Sequence, residues 1–148
     1  MEQQILVPLD RSETSRSVLP MVADMARGSG GTVRLLHVAP IPTERVSDDG
    51  RVVAYVSQEM ERIEYSRLDY LKEAEAGLEG VPVESVVRFG DPAEEIVACA
   101  RDTHIDLVAM ATHGRTGLRH LLMGSVAEQV LRRLAIPVML VRPFAEET

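Results

Sequence analysis

The sequence predicts an α/β fold: a single doubly wound, five-stranded parallel sheet with helices on both faces, formed by one domain over residues 1–148. Three observations predict it. Of five short strand-like runs, Ile5–Leu9 lacks the in–out alternation of a half-exposed strand and Ile105–Ala111 is nearly continuous in apolar residues, so these read as strands buried on both sides. Segments of helical periodicity separate them in the order β-α-β-α-β-α-β-α-β, and that alternation implies right-handed crossovers and parallel pairing. No internal repeat or linker-like stretch interrupts the 148 residues, a length that buries roughly 68–70% of its unfolded surface without a staple. In such sheets ligands bind beyond the carboxyl ends of the strands, where strand order reverses. Function is therefore expected after strands one, two and four.

Each element has a local reason. Ile5-Leu6-Val7-Pro8-Leu9 is the first apolar run. The polar turn Asp10–Ser15 follows, rich in helix-capping residues. Val18, Leu19, Val22, Met25 and Ala26 form the stripe of an amphipathic helix, closed by Gly28-Ser29-Gly30-Gly31. Thr32–Val38 is strand two. Residues 39–54, with Pro40, Pro42 and Asp48-Asp49-Gly50, read as an irregular surface loop. A long helix over 55–78 places Met60, Ile63, Leu71, Ala74 and Leu78 on one face. Its acids Glu59, Glu61, Glu64, Asp69, Glu73, Glu75 and Glu79 read as a solvated face, partly paired with Arg62, Arg67 and Lys72. Val83–Phe89 is strand three. Asp91-Pro92-Ala93-Glu94 starts a helix with Asp as N-cap and Pro at the first position, and Ile96, Val97 and Ala100 are its buried face. Ile105–Ala111 is strand four. Thr112–Met123 connects it to a helix over 124–134, whose stripe is Ala127, Val130, Leu131 and Leu134. Val138–Val141 is strand five.

Composition excludes several classes. Acids outnumber bases 23 to 16, for a net charge of -7, and an acidic chain repels nucleic-acid backbones. Cys99 is the one cysteine, so neither an internal disulfide nor a thiolate zinc site can form. No secretory leader is read at the amino end, and no apolar stretch approaches the ~20 residues of a membrane span. A cytoplasmic address is the expectation, with neither nucleic acid nor membrane as partner. Lys72 is the single lysine, and it lies in a charged helical segment, which removes any Gly-Lys phosphate loop.

The connection after strand four carries the most chemistry. Its sequence is Thr-His-Gly-Arg-Thr-Gly-Leu-Arg-His-Leu-Leu-Met, followed by Gly124-Ser125 at a helix start. Such connections usually have 2–6 residues. Gly114, Gly117 and Gly124 allow close backbone approach, the helix start and Ser125 offer donors, and Arg115 and Arg119 are cations. From Leu107 to Ala127 there is no acid. That combination suits a polyanion, most simply a chain of phosphates. The plain alternative is a long turn shaped by glycines and a serine that caps a helix.

Ala111-Thr-His-Gly-Arg-Thr-Gly-Leu-Arg-His-Leu-Leu-Met-Gly124-Ser125 resembles the nucleotide loop of the universal stress protein family, whose ATP-binding branch carries G-x2-G-x9-G-[S/T]. Gly114, nine residues and Gly124-Ser125 match, while Ala111 replaces the first glycine. Val7-Pro8-Leu9-Asp10, His37-Val38, Gly90-Asp91-Pro92 and Ile136-Pro137-Val138 extend the resemblance along the whole chain. It implies a Rossmann-like fold similar to that of adenine nucleotide alpha hydrolases, a regulatory role in stress response or signalling, and ATP, with Mg2+, as ligand. It also implies a site of Pro8, Leu9, Asp10, Val38, Met110, Ala111, Gly114, Arg115, Gly117, Gly124, Ser125 and Val126. Asp10 would meet the ribose or Mg2+, Pro8, Leu9 and Val38 the base, Met110 and Ala111 the base and ribose, and the remainder the phosphates. A homodimer through strand five, Val138–Val141, is implied as well; that apolar run with few guarding charges supports it weakly.

Other residues read more plainly. His113 and His120 lack a carboxylate or nucleophile partner in sequence. His37 reads as a satisfied core or edge residue, His104 as part of a turn, and Cys99 as a buried small hydrophobe. Met21, Met25, Met60, Met110, Met123 and Met139 read as core fillers. No catalytic residue is assigned. The turn after strand one lacks the glycines of an ATP-using ligase or a dinucleotide fingerprint. Two alternatives stay open: slow ATP hydrolysis on the same fold, and a dimeric interaction domain that does not bind ATP.

Overall fold

The computed structural model describes residues 2–43, 45–111 and 124–142. In chain order these form β1 (Gln4–Pro8), α1 (Glu13–Arg16), α2 (Leu19–Ser29), β2 (Thr32–Ala39), β3 (Arg45–Val46), β4 (Val52–Ala54), α3 (Val56–Ala74) with a 3-10 turn over Glu75–Leu78, β5 (Val83–Phe89), α4 (Pro92–Asp102), β6 (Leu107–Ala111), α5 (Gly124–Arg133) and β7 (Val138–Val141). The large sheet has the order β5-β2-β1-β6-β7, and every pairing in it is parallel.

The unalternated run Ile5-Leu6-Val7 is central for a physical reason. Strands on both sides take its backbone groups, and helices cover both its faces, so all three side chains have no exposure. Ile5, Val7 and Leu9 pack with Val18, Leu19 and Val22 from the α2 side and with Leu71, Ala74 and Leu78 from the α3 side. Leu6, Val108 and Met110 pack on the opposite face with Ile96, Val97 and Ala100 of α4 and Ala127 and Val130 of α5. The sheet is thus doubly wound, as expected.

Helix ends follow their sequence signals. The Asp91 carboxylate accepts from the Glu94 amide at 3.0 Å and Pro92 opens α4. Gly30 closes α2 at φ +67°. At Gly31 a Cβ would stand 2.4 Å from the Gln3 carbonyl oxygen, so only glycine lets the chain turn directly into β2.

The structure corrects several expectations. The stretch read as an irregular loop contains the antiparallel hairpin β3–β4, turned at Ser47–Arg51 with Gly50 at φ +84°. Strands of two and three residues are too short to show a period. The polar turn after β1 holds the extra helical turn α1, capped by Ser12, whose hydroxyl accepts from the Ser15 amide at 3.0 Å. β6 begins at Leu107 rather than Ile105, because the Ile105 amide is bound to the Ala100 carbonyl at 3.0 Å. Glu59 is buried rather than solvated, with Arg62 at 2.6 Å. Met21 and Leu131 are exposed instead of core-filling. Met123 lies outside the described residues.

Candidate functional site

Strand order reverses between β1 and β6, the first strand after the chain crosses back over the sheet. The carboxyl ends of β1, β2 and β6 therefore bound one crevice. At its floor the Leu9 amide donates to the Leu36 carbonyl at 2.8 Å. The His37 ring hydrogen-bonds the Leu9 carbonyl through Nδ1 at 2.8 Å. Acceptance by a carbonyl fixes Nδ1 as the protonated nitrogen. These two bonds tie the tips of β1 and β2 together. His37 is buried, and desolvation first, then the charges of Arg67 and Arg11, hold its pKa below the ordinary 6.5. The expectation of a satisfied histidine holds, and His104 lies in a turn at φ +53°.

Past Leu9 the chain turns sharply. Asp10 is exposed. Its Oδ1 accepts from the Ser12 amide at 2.9 Å and the Ser12 hydroxyl at 2.5 Å. Arg11 takes a left-handed conformation at φ +74°, uncommon for a residue with a Cβ. The side chain of Leu9 lies in the core, so it meets the crevice by its backbone position alone. Pro8 and Val38 are half-buried at the ends of β1 and β2, and Val38 packs toward the α4–α5 face. Met110 is buried and Ala111 half-buried at the end of β6. Among the described residues Arg11 and His104 are the only non-glycines with positive φ. Ala111 thus stands in place of a glycine without strain.

Gly124 begins α5, Ser125 is exposed in its first turn, and Val126 is half-buried. The first amides of a helix and its dipole favour an anion there. Gly114, Arg115 and Gly117, with His113 and His120, lie outside the described residues. Among the described residues no group of three or more His, Cys, Asp or Glu side chains could hold a metal by itself. Also among them, no helix is long and apolar enough to cross a membrane. Cys99 is buried, and burial raises its thiol pKa, as fits a small hydrophobe.

On the α3 side the structure assembles residues that the sequence reading passed over. The Tyr70 ring meets His37 edge-on, with centroids 6.4 Å apart. The Arg16 guanidinium lies 5.7 Å over the Tyr70 ring and 3.6 Å from Glu73. The Tyr70 hydroxyl is buried beside Ser15 and the Arg11 backbone, and burial raises its pKa. None of the ion pairs found on α3 includes Arg67, contrary to its expected pairing with the acidic face of that helix. Its Nε is buried and unbonded, and desolvation together with the Arg11 charge lowers its pKa. One signal was legible. Position 67 falls on the apolar stripe 60, 63, 67, 71, 74, 78, where a guanidinium has no packing reason to sit.

A parallel doubly wound sheet with such a crevice defines an α/β protein of the Rossmann-like class. Residues 1–142 match the Universal stress protein family. Universal stress protein MJ0577 of Methanocaldococcus jannaschii is 32% identical over 155 residues, covering 96% of each chain. The solved structure of MJ0577 superposes with a TM-score of 0.80 at 28% identity, covering 99% of both chains. A universal stress protein in complex with cAMP gives 0.67 at 19% identity, over 96% of this chain and 98% of that one. The Archaeoglobus fulgidus protein in complex with dAMP gives 0.58 at 19%, over 95% and 98%. The last two are alike in fold. The chain belongs to the universal stress protein family.

Proposed function

We propose that this protein, acting as one domain over 1–148, is a cytoplasmic regulatory module that binds ATP, with Mg2+, across the carboxyl ends of β1, β2 and β6. The observation that carries this reading is the site's position. The tips bearing Asp10, Val38 and Ala111 flank the strand-order reversal, and α5, which leads from β6 into the parallel β7, starts at that same carboxyl end of the sheet. Two fold relatives solved with cAMP and dAMP support an adenine nucleotide as the ligand class. Pro8, Leu9 and Val38 border the base, Met110 and Ala111 the base and ribose, and Asp10 the ribose hydroxyls. Gly114, Arg115, Gly117, Gly124, Ser125 and Val126 surround the phosphates.

Asp10 is the one carboxylate in this set. That fits Mg2+, which binds through one or two carboxylates and the phosphates rather than an all-protein cage. When bound, the ion neutralises phosphate charge. Where Asp10 does not take the ribose hydroxyls it would help hold the ion, and Ser125 and the first amides of α5 would hold the phosphate oxygens. Occupancy then selects conformation or partner.

The test is thermal. A ligand that binds only the native state stabilises it by about 2.7 kcal/mol at 100 times Kd, roughly 5–10 °C in Tm for a chain of this size. ATP with Mg2+ raises Tm by that order, and Ser125→Ala weakens affinity about tenfold or more by removing a donor to a charged acceptor. An unchanged Tm at millimolar ATP would sink the reading in favour of an interaction domain without nucleotide.

A further inference from the structure

We propose that the outer edge of β5 is an interface for a second copy of this chain, paired antiparallel about a two-fold axis at Val86. It lies on the opposite edge of the sheet from β7, so it is separate from any pairing through Val138–Val141.

β5 has seven residues, and among the described residues no strand pairs with its outer side. Its side chains are half-buried or exposed, whereas Ile5, Leu6 and Val7 in the middle of the sheet have no exposure. The hydrogen bonds to β2 fix which backbone groups face outward. The Val33 amide donates to the Pro82 carbonyl at 3.0 Å, and the Gly90 amide donates to the Ala39 carbonyl at 2.9 Å. Even-numbered positions therefore turn their backbone groups to β2, and Val83, Ser85, Val87 and Phe89 turn theirs outward. Pro82, which has no N–H, falls in the inward set, so each outward position keeps its donor. Such a row is a template for another strand unless the edge is guarded.

The charges select the strand that fits. In a two-fold antiparallel pair, outward positions must meet outward positions. The register that pairs the whole of β5 sets Val83 against Phe89, Ser85 against Val87, Glu84 against Arg88 and Val86 against its own copy. Val83–Phe89 and Ser85–Val87 exchange the hydrogen bonds. Glu84 and Arg88 meet twice at the other sites, where facing side chains stand closest. Sliding the register one pleat either way sets each charge against Val86 or beyond the end of the strand. Within one chain Glu84 pairs with Arg34 at 3.0 Å, and Arg88 with Asp102 at 3.2 Å and Glu95 at 3.6 Å. These pairs hold both side chains on the α4 side, where Val86 also packs. Docking joins Arg34–Glu84 of one copy to Arg88–Asp102 of the other, in alternating sign. Edge charges ordinarily repel a second strand; opposite signs placed symmetrically about Val86 attract this one.

Sedimentation velocity and cysteine cross-linking of the full chain test the interface. Val86→Cys with Cys99→Ala puts one thiol on the axis, where facing Cα atoms stand about 4.5 Å apart, within disulfide reach. Mild oxidation links it into a dimer about tenfold or more faster than Glu84→Cys with Cys99→Ala, because position 84 faces position 88 and not its own copy. Glu84→Arg sets like charges together twice and weakens self-association about tenfold, and Arg88→Glu does the same. An equimolar mixture of these two variants restores association, because each charge then meets its opposite, and a folding defect is not repaired by mixing. Melting curves confirm that each variant is folded, and the cross-link depends on neither. A wild type that stays monomeric up to about 100 µM overturns the inference. So does association unchanged by Glu84→Arg, a mixture of folded variants that fails to associate, or a Val86→Cys chain that links no faster than the Glu84→Cys chain.

Discussion

His37 shows how a single residue ties the sheet to the site. Its Nδ1 bond to the Leu9 carbonyl joins two strand tips, and its burial disfavours the charged ring. The folded pKa lies below the unfolded value of about 6.5. As pH falls below about 6.5 the unfolded chain binds the proton first, so stability contributed by the neutral ring is present above that pH and is lost toward the folded pKa. His37→Gln removes this dependence. Denaturant titrations from pH 7.5 to 5 should show the wild type losing stability relative to the variant only on the acid side, and parallel curves would contradict the assignment. His37 was read from its apolar strand as a satisfied residue. Its acceptor could not be read, because Leu9 lies 28 residues away.

At the scale of elements, α3 is the most informative. Its inner face buries Leu71 and Ala74, and Leu78 follows in the 3-10 turn, as the 3.6-residue period predicts. Leu71 has no exposure and packs under β1 and β2. Leu71→Ala leaves a cavity that costs about 2–5 kcal/mol, seen as a fall in Tm of roughly 5–15 °C. The same helix shows where periodicity falls short. Glu59 belongs by type to the solvated face, yet it is buried with Arg62 beside it. Arg67 belongs by type to the charged face, yet it lies on the inner stripe with its Nε buried. Binary patterning ranks residues by average preference, and individual docked positions depart from the average. The hairpin β3–β4 was hidden for another reason. Its Asp48-Asp49-Gly50 turn was visible, but strands so short carry no alternation to count.

For the whole molecule, the edges of the sheet decide what assembly is open to it. β5 and β7 are the outer strands. Every residue of β7 is half-buried, and its side chains pack on both core clusters. Among the described residues no strand pairs with its outer edge, and a parallel edge strand presents a row of donors and acceptors to which a second copy could pair. The proposed dimer through Val138–Val141 predicts a sedimentation coefficient that falls toward the monomer value on dilution through the dissociation constant. A monomer at all concentrations up to about 100 µM would dispose of it.

The amino-acid sequence alone determined the layer order, the strands and main helices, the caps at Asp91 and Gly30, and the end of the sheet at which to look. These follow from periodicity and capping, which are local or nearly so. It also carried the motif from Ala111 to Ser125 that resembles a nucleotide loop, much of which lies outside the described residues. Only the tertiary structure decided that Ala111 sits without positive φ, that Leu9 turns its side chain into the core, and that His37 meets the Leu9 carbonyl and the Tyr70 ring. Those facts depend on contacts between residues tens of positions apart. Proximity of that kind arises when helices dock on a sheet, and no local pattern encodes it.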